Sequence, residues 1–403
     1  MIEMKKNMPD FYSEETRKNF IANLLSNALM SYELVKRITK EYFFSNQYSL
    51  LHPETTKYIR AITPRRILNF ISYLLAQKFG IFVSDPQPLG FQIETVRGCN
   101  FKCIMCDSWK FKPKFLSFDQ VKYILKYFKD SFIFFPLVGG EPFLNEDIYE
   151  ISRYAYWNFK FMVSIPSNFS LIDPKRVLDM EAYEIRASID SINKDTFFEI
   201  RHGDIDKVKK NLADILNLKR IKNKKYPIIS ISTVISKLNI HEIENILNFG
   251  KSLGVRKFYL QTLIEGSLLS KPNDVSLEDI LQLKKSLAKY SRELKINFVS
   301  FRKDISGGNP DGYCYMAFHP PLIDYLGDVY PCCKVVGNKE SSFGNIFSDP
   351  QKVFKNRSIF LRKFRYSPPE FCKKCELYYR KPKESFYTKN KLEQIIFHKN
   401  FLE

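Results

Sequence analysis

The run RGCNFKCIMC at residues 97–106 places Cys99, Cys103 and Cys106 in one short loop. A strand-like run over 91–95 comes directly before it, so the cysteines stand past the carboxyl end of a strand. Three thiolates at this spacing can bind three irons of a [4Fe–4S] cluster and leave the fourth iron without a protein ligand. An open iron is suited to a small molecule that has to bind the metal directly.

Two other uses of three cysteines fit this loop less well. A structural zinc ion would need a fourth Cys or His, and between Leu51 and Ile200 the chain adds only His52. Disulfides would leave one of the three thiols unpaired and would need an oxidising compartment. The open cluster is therefore the favoured interpretation.

The composition describes a large and strongly basic chain. Its 403 residues are enough for one large domain with one or two smaller pieces. With 63 Lys and Arg against 44 Asp and Glu, the formal charge is +19, which permits a nucleic acid or an anionic membrane as a partner. Many lysines stand singly on helix-like segments, and the densest run, over 219–225, is typical of a solvated loop. Nucleic-acid binding is therefore less favoured, and it is not excluded.

The start of the chain, MIEMK over residues 1–5, lacks the basic-then-apolar pattern of a signal peptide. No stretch reaches the ~18 consecutive apolar residues of a membrane span. Eight cysteines in an unexported chain indicate metal binding rather than disulfides. These features predict a cytoplasmic location, either in solution or at a membrane surface.

The first segment, residues 1–88, has a helical pattern. Thr63 and Pro64 form a helix start and Gly80 a helix stop, with apolar side chains between them at helical spacing. Because basic residues flank this stripe, the helix over 64–80 either packs on the next domain or makes peripheral contact with an anionic membrane. Pro86, Pro88 and Gly90 mark the boundary that follows.

The second segment, 89–300, alternates between strand-like and helical patterns. Short apolar or β-branched runs lie at 91–95, 132–138, 160–165, 184–189, 228–234 and 257–262. Segments with helical periodicity lie between them, for example Phe118–Phe128, Asn145–Trp157, Val208–Leu218 and Ile243–Leu253. Six strand-then-helix units predict an α/β fold with a parallel sheet, either an open barrel or a doubly wound sheet. Sites in both folds gather at the carboxyl ends of the strands.

The second strand-like run ends in Gly139-Gly140-Glu141-Pro142. Two glycines permit positive φ and let the backbone approach a ligand closely, and Glu141 adds a carboxylate suited to an ammonium group. This turn follows the cysteine loop by one strand. In that order the two motifs resemble those of the radical S-adenosylmethionine (SAM) superfamily.

The resemblance implies a partial (β/α)6 TIM-like barrel over 89–300, with SAM bound to the open iron through its amino and carboxylate groups. An electron from the cluster would split SAM into methionine and a 5′-deoxyadenosyl radical, which would abstract hydrogen from a substrate carbon. A flavodoxin or ferredoxin would be a suitable electron donor. The same resemblance assigns SAM contacts to Gly139, Gly140, Glu141, Pro142, Ser167, Asn168, Ser188 and Arg201.

Within that assignment, the turn at 139–142 would receive the SAM amino group. Ser188 would touch the ribose or the methionine end, and Arg201 would pair with the SAM carboxylate, since its planar fork can bond both oxygens. Phe169 and Ser191 stand where the family usually has glycine. No residue is assigned a catalytic role.

The third segment, 301–403, carries the remaining five cysteines. A Cys-x2-Cys pair and two separated cysteines supply four thiolates, enough for either a zinc site or a closed [4Fe–4S] cluster. The runs GDVYPCC at 327–333 and GNI at 344–346 resemble the SPASM or twitch extension of radical SAM enzymes. The resemblance and the cysteine count imply one auxiliary cluster, with Cys333 as the alternative to Cys332, on the ligands Cys314, Cys332, Cys372 and Cys375.

Taken together, these features predict a radical SAM oxidoreductase, either dehydrogenase-like or modifying a peptide or metabolite. A closed second cluster would accept an electron from the substrate, so we expect a net oxidation. Sugar, cyclitol, lipid-linked and peptide substrates all stay open. The alternatives are an RNA-modifying radical SAM enzyme, which the charge permits, and a non-catalytic iron–sulfur or zinc protein.

Overall fold

In a computed structural model, the chain forms two compact units, Met1–Gln87 and Pro88–Glu403. The helices predicted before residue 62 lie outside the part of the chain that the structure describes, and the domain boundaries at 88/89 and 300/301 stay predictions. The described residues are 62–80, 82–137, 139–263, 274–299, 314, 318, 320–364, 367–373 and 375.

In the first unit the structure describes one long helix, α1, over Pro64–Phe79. It begins where the sequence predicts, because the Thr63 side chain accepts a hydrogen bond from the Arg66 amide, and it ends at Gly80, whose φ of 69° is left-handed. Its Leu68 side chain, part of the predicted apolar stripe, is 46% exposed. The buried apolar side chains are Ile67, Phe70, Tyr73 and Ala76.

No helix among the described residues is long and apolar enough to cross a membrane. Contact of the segment 64–80 with a membrane surface stays a prediction.

The second unit is built on a mostly parallel sheet. Its strands, with the small separate pair β2–β3, are β1 Gly90–Ile93, β2 Val96–Arg97, β3 Lys114–Phe115, β4 Ile133–Phe135, β5 Met162–Ser167, β6 Glu184–Ser188, β7 Ile228–Ile235, β8 Lys257–Thr262, β9 Lys295–Val299, β10 Leu322–Ile323, β11 Asp328–Tyr330 and β12 Gly344–Asn345. The ten-stranded sheet has the order β12-β11-β10-β1-β4-β5-β6-β7-β8-β9, and among its described pairs only those within β10–β12 are antiparallel. The separate β2–β3 pair is antiparallel as well.

Helices connect these strands. They are α2 Phe118–Leu125, α3 Ile148–Phe159, α4 Pro174–Val177, α5 Lys194–Arg201, α6 Ile205–Ile221, α7 Ile243–Leu253, α8 Leu277–Leu287, α9 Pro350–Phe364 and α10 Glu370–Lys373. All six predicted strand-like runs are strands, and the fold is the predicted partial barrel. The prediction missed β9, whose polar Lys295 and Asn297 alternate with apolar residues and make the run resemble an exposed segment.

The two faces of the sheet differ in polarity because residues alternate between them. One face carries apolar side chains, for example Ile185 and Ile229, that join the core formed with the helices. We call the opposite face, which lines the barrel, the inner face. Its members from β5 to β8 include Ser164, Glu184, Arg186, Ser188, Ser230, Ser232, Lys257, Tyr259 and Gln261.

The C-terminal strands join the sheet at the edge of β1. Strand β10 pairs in parallel with β1, in the register Gln92 to Leu322, and turns back into β11 at Gly327, whose φ is 91°. The run at 327–331 thus forms one arm of a hairpin with β10. It carries the chain to Cys332 just past the end of β11, which β10 separates from β1.

We expect the free energy of unfolding of Lys160→Gly to exceed that of Lys160→Ala by about 1 kcal/mol. Lys160 ends α3 with a left-handed φ of 56°, which favours glycine. Both variants lose the same lysine side chain, so their difference isolates the backbone. Urea unfolding of the two variants checks this, and equal stabilities would contradict it.

Candidate functional site

The cysteine loop is held against helix α5. Its Phe101 ring is buried edge-on to Phe197, with ring centroids 6.2 Å apart, and the Ile104 amide donates to the Ile200 carbonyl at 3.0 Å. Gly203 lies so close to the Phe101 ring that a Cβ atom there would approach it to 2.4 Å. Residues about 100 positions later therefore fix the conformation of the loop.

The three thiols of the loop differ in exposure: Cys99 is half-buried, Cys103 is buried and Cys106 is exposed. Burial raises the pKa of Cys99 to about 12, and the Glu141 carboxylate and the other two thiols add to this. Burial also raises the pKa of Cys103, although the Arg201 guanidinium opposes it. Without metal these two thiols stay protonated at neutral pH, so assembly of a cluster has to release protons.

Two donors point at the sulfur atoms. Arg201 Nη1 lies 3.8 Å from Cys103 Sγ, and Asn168 Nδ2 lies 3.8 Å from Cys99 Sγ. A cation and an amide beside sulfur stabilise thiolates, so this surrounding fits a cluster. Among the described residues, no three His, Cys, Asp or Glu side chains have the spacing of a single-ion site. The thiolates of a [4Fe–4S] cluster bind separate irons and need not converge on one point.

The Gly-Gly-Glu-Pro turn packs directly on the cysteine loop. Gly98 and Gly140 form a parallel bridge, and the Glu141 amide donates to the Gly98 carbonyl at 3.0 Å. Gly140 has a φ of 141°, and a Cβ atom there would stand 2.6 Å from the Gly98 carbonyl oxygen. Only glycine permits so close an approach. The structure thus brings together two motifs that the sequence separates by about 40 residues.

The Glu141 side chain ties this turn to the next strand end. It is 2% exposed, and its carboxylate accepts hydrogen bonds from Ser167 Oγ at 2.7 Å, the Asn168 amide at 2.7 Å and the Phe143 amide at 3.2 Å. Burial raises the pKa of Glu141 to about 7 against these donors. These are positioning contacts. The predicted contact with a SAM ammonium group stays a prediction.

The two departures from glycine have different explanations. Phe169 has a left-handed φ of 64°, which is why glycine suits this position, and its ring is fully buried in the core. Burial of the ring offsets the backbone strain. Ser191 instead is buried and hydrogen-bonds to the Glu242 carboxylate. Neither change prevents the local turn from forming.

Arg201 makes a contact that the sequence did not predict. Its guanidinium pairs with Asp190 at 2.7 Å, and both side chains are buried. Burial lowers the pKa of Arg201, but the Asp190 carboxylate and the Cys103 sulfur hold it above its ordinary value. Arg201 therefore links β6 to the cysteine loop, and its pairing with the SAM carboxylate stays a prediction. Ser188, at the end of β6, stands in register with Ser232 on the inner face.

The C-terminal cysteines also lie near one another. Burial raises the pKa of Cys332 to about 12, and the thiols of Cys333, Cys314 and Cys375 add to this. Burial raises the pKa of Cys372 as well, with Cys314, Cys332 and Cys375 adding to it. Cys333 is exposed, and the Cys375 thiol adds to the rise that burial causes in its pKa. Cys332 rather than Cys333 as a ligand stays a prediction.

Comparison with known proteins agrees with this geometry. The family model described as the radical SAM superfamily matches residues 93–250, and the one described as SPASM, an iron–sulfur cluster-binding domain, matches 314–376. The chain belongs to the radical SAM superfamily. Residues 314–376 are its SPASM domain. The cofactors of the chain are [4Fe–4S] clusters and SAM.

Individual relatives of this radical SAM chain are distant. The AdoMet-dependent heme synthase of Methanosarcina barkeri is 25% identical over 70% of this chain and 86% of its own length. The subtilosin biosynthesis protein AlbA of Bacillus subtilis is 22% identical over 72% of this chain and 64% of its own length. The crystal structure of Streptococcus suis SuiB bound to S-adenosylmethionine is 17% identical and superimposes with a TM-score of 0.61, covering 87% of this chain and 83% of SuiB. That structure supports the fold.

We expect Gly140→Ala to lose about four irons per chain after anaerobic reconstitution, because its Cβ displaces the cysteine loop. The matched control is Gly139→Ala, whose Cβ would meet Ser108 Oγ and Glu94 Oε1 at no less than 3.4 Å and which should keep its iron. Iron analysis beside circular dichroism separates loss of the cluster from unfolding. Equal iron in both variants would contradict the prediction.

We expect the stability of the unligated protein to fall between pH 5 and pH 8 relative to Glu141→Gln, by the order of 2 kcal/mol. The pKa of Glu141 rises from 4.5 to about 7 on folding, so its stabilising contribution is full below pH 4.5 and disappears as the pH rises through 7. The free energy of unfolding, measured in urea with reduced cysteines, checks this. Parallel pH profiles would be inconsistent with a titrating Glu141.

Proposed function

We propose that this chain cleaves SAM reductively and uses the resulting 5′-deoxyadenosyl radical to take a hydrogen atom from a substrate carbon. A cluster held by Cys99, Cys103 and Cys106 would supply the electron for this cleavage. The observation that carries the proposal is the contact of three motifs at the carboxyl ends of strands. Gly140 packs on the cysteine loop, and the Glu141 carboxylate holds Ser167 at the end of β5.

The residues of the chain would prepare this site in distinct ways. Asn168 and Arg201 place donors beside the sulfurs and would stabilise their negative charge. The backbone of the turn at 139–142 would accept hydrogen bonds from the SAM ammonium group. Gln261, whose Nε2 donates to Ser232 Oγ at 2.8 Å, adds a polar edge at the end of β8.

The net reaction in this proposal is a two-electron oxidation. Cys314, Cys332, Cys372 and Cys375 would close the coordination of a second cluster, so no iron would be left for substrate, and electron transfer is the task that suits it. The substrate would lose one hydrogen atom to the 5′-deoxyadenosyl radical. It would then lose one electron to the second cluster and one proton to solvent. A flavodoxin or ferredoxin would supply the electron that cleaves SAM.

The comparisons give less information on the substrate than on the reaction class. The two curated relatives bear the names of a heme synthase and of a bacteriocin biosynthesis protein, so they differ in what they make. A non-catalytic cluster carrier would not need the packed turn at Gly140, so an enzyme is the better explanation of this site.

We expect the reconstituted wild type to bind about eight irons and to form 5′-deoxyadenosine from SAM under a strong reductant. A variant with Cys99, Cys103 and Cys106 replaced by Ala should bind about four irons and form no nucleoside. Cys332→Ala should also bind about four irons while its matched control, Cys333→Ala, keeps about eight. Iron analysis measures the irons per chain, and chromatography measures the 5′-deoxyadenosine formed. An intact wild-type cluster without SAM cleavage would overturn the proposal.

A further inference from the structure

Near the amino-terminal ends of β6 and β8, the inner face carries an ionic cluster that the proposed reaction leaves unused. Glu184, at the start of β6, is fully buried. Its carboxylate pairs with Lys257 Nζ at 3.1 Å, accepts a hydrogen bond from Ser230 Oγ at 2.7 Å and accepts another from the Tyr259 hydroxyl at 3.3 Å. This carboxylate is therefore already satisfied by one cation and two hydroxyl groups.

Arg186 is a second cation in the same cluster. Its guanidinium stacks on the Tyr259 ring, 3.7 Å from the centroid, and approaches Glu184 only to 3.8 Å, which is too long for a hydrogen bond. Its Nε atom is buried and has no hydrogen-bond partner among the residues that the structure describes. The Arg186 side chain is 19% exposed, whereas that of Lys257 is 9% exposed. Arg186 is thus held in a fixed orientation with donors still available.

Among the residues that the structure describes, Arg186, Lys257 and Glu184 together carry an excess of one positive charge. Two cations, Arg186 and Lys257, face the single carboxylate of Glu184. Lys295, the next basic residue of this face, is exposed and can be solvated. An uncompensated charge inside a protein is costly unless a partner arrives to pair with it. The charge balance of the cluster is completed by one negative charge.

The position of Arg186 is also informative. It precedes Ser188, a predicted SAM contact, by two residues on the same strand and face, which separates their Cα atoms by about 6.6 Å. Ser164, on the neighbouring strand in register with Glu184, is buried, and its hydroxyl has no hydrogen-bond partner in the described part of the chain. A ligand reaching from the SAM site into the barrel would meet the side chains of Arg186 and Ser164.

We propose that Arg186 binds a carboxylate of the substrate, so that the substrate of this enzyme is a carboxylic acid. The planar guanidinium fork matches the two oxygens of a carboxylate, and one carboxylate neutralises the single excess charge. The acid would be anchored at Arg186 while a carbon nearer Ser188 meets the radical. This inference rests on the proposed function for its meaning, but not for its test.

The test uses the thermal unfolding midpoint of the anaerobically reconstituted protein, with succinate as the probe and sodium chloride at matched ionic strength. We expect succinate to raise the midpoint of the wild type saturably. Arg186→Gln should need an at least about tenfold higher concentration for the same rise. Arg153→Gln, which removes an exposed arginine paired with Glu150, is the matched control and should respond as the wild type does.

The variants also separate a binding role from a structural one. Because Arg186→Gln removes an excess half-buried charge, its midpoint without succinate should equal or exceed that of the wild type. Arg186→Lys keeps the charge without the fork and should bind succinate more weakly than the wild type. An unchanged succinate response in Arg186→Gln would overturn the proposal, and so would a lower midpoint in both Arg186 variants.

Two further arms identify the source of the acid and isolate the proposed function. Succinate and a blocked Gly-Glu-Gly peptide, compared on the wild type, distinguish a free acid from a peptide side chain. Stabilisation by phosphate but by neither carboxylate would overturn the carboxylate assignment. Formation of 5′-deoxyadenosine without substrate should be the same in the control Arg153→Gln and the wild type. Its absence from the wild type would refute the SAM reaction while leaving the binding result intact.

Discussion

The close backbone contact between Gly98 and Gly140 is the constraint on which the site depends. It requires a residue without a Cβ atom at 140, because that atom would stand 2.6 Å from a carbonyl oxygen. Glu141, the next residue, then places a buried carboxylate where it can hold Ser167 and Asn168. Asn168 in turn reaches the sulfur of Cys99. One short turn therefore aligns the ends of three strands around a metal-binding loop.

A second organising feature is the difference between the two faces of the sheet. Alternation along β5 to β8 sends most apolar side chains toward the helices and most polar ones into the barrel. Glu184 is thus buried, and Arg186 half-buried, without weakening the core, since they face partners on the neighbouring strands. In the proposed reaction, polar side chains on this face would orient the substrate toward the radical.

Much of the site could be predicted because local motifs stand directly after strands. Parallel strands bring their carboxyl ends to one edge, so Cys99, Gly140 and Asn168 had to come close once the fold class was known. The pairing of Arg201 with Asp190 could not be predicted, because it depends on the direction in which α5 leaves the fourth strand-like run. The strand β9 was missed for a similar reason: its polar Asn297 becomes buried only through pairing with β8, where its side-chain amide donates to the Phe258 carbonyl.

The sequence by itself determined the class of chemistry. The spacing of three cysteines predicts a cluster with an open iron, and the resemblance of this loop and the following turn to the radical SAM motifs implies SAM. These are local features, set by a few adjacent residues. Only the tertiary structure decided which thiols of the C-terminal segment lie together and that Arg186 shares one buried carboxylate with Lys257. Such facts depend on register between strands, and register is a property of the folded sheet as a whole.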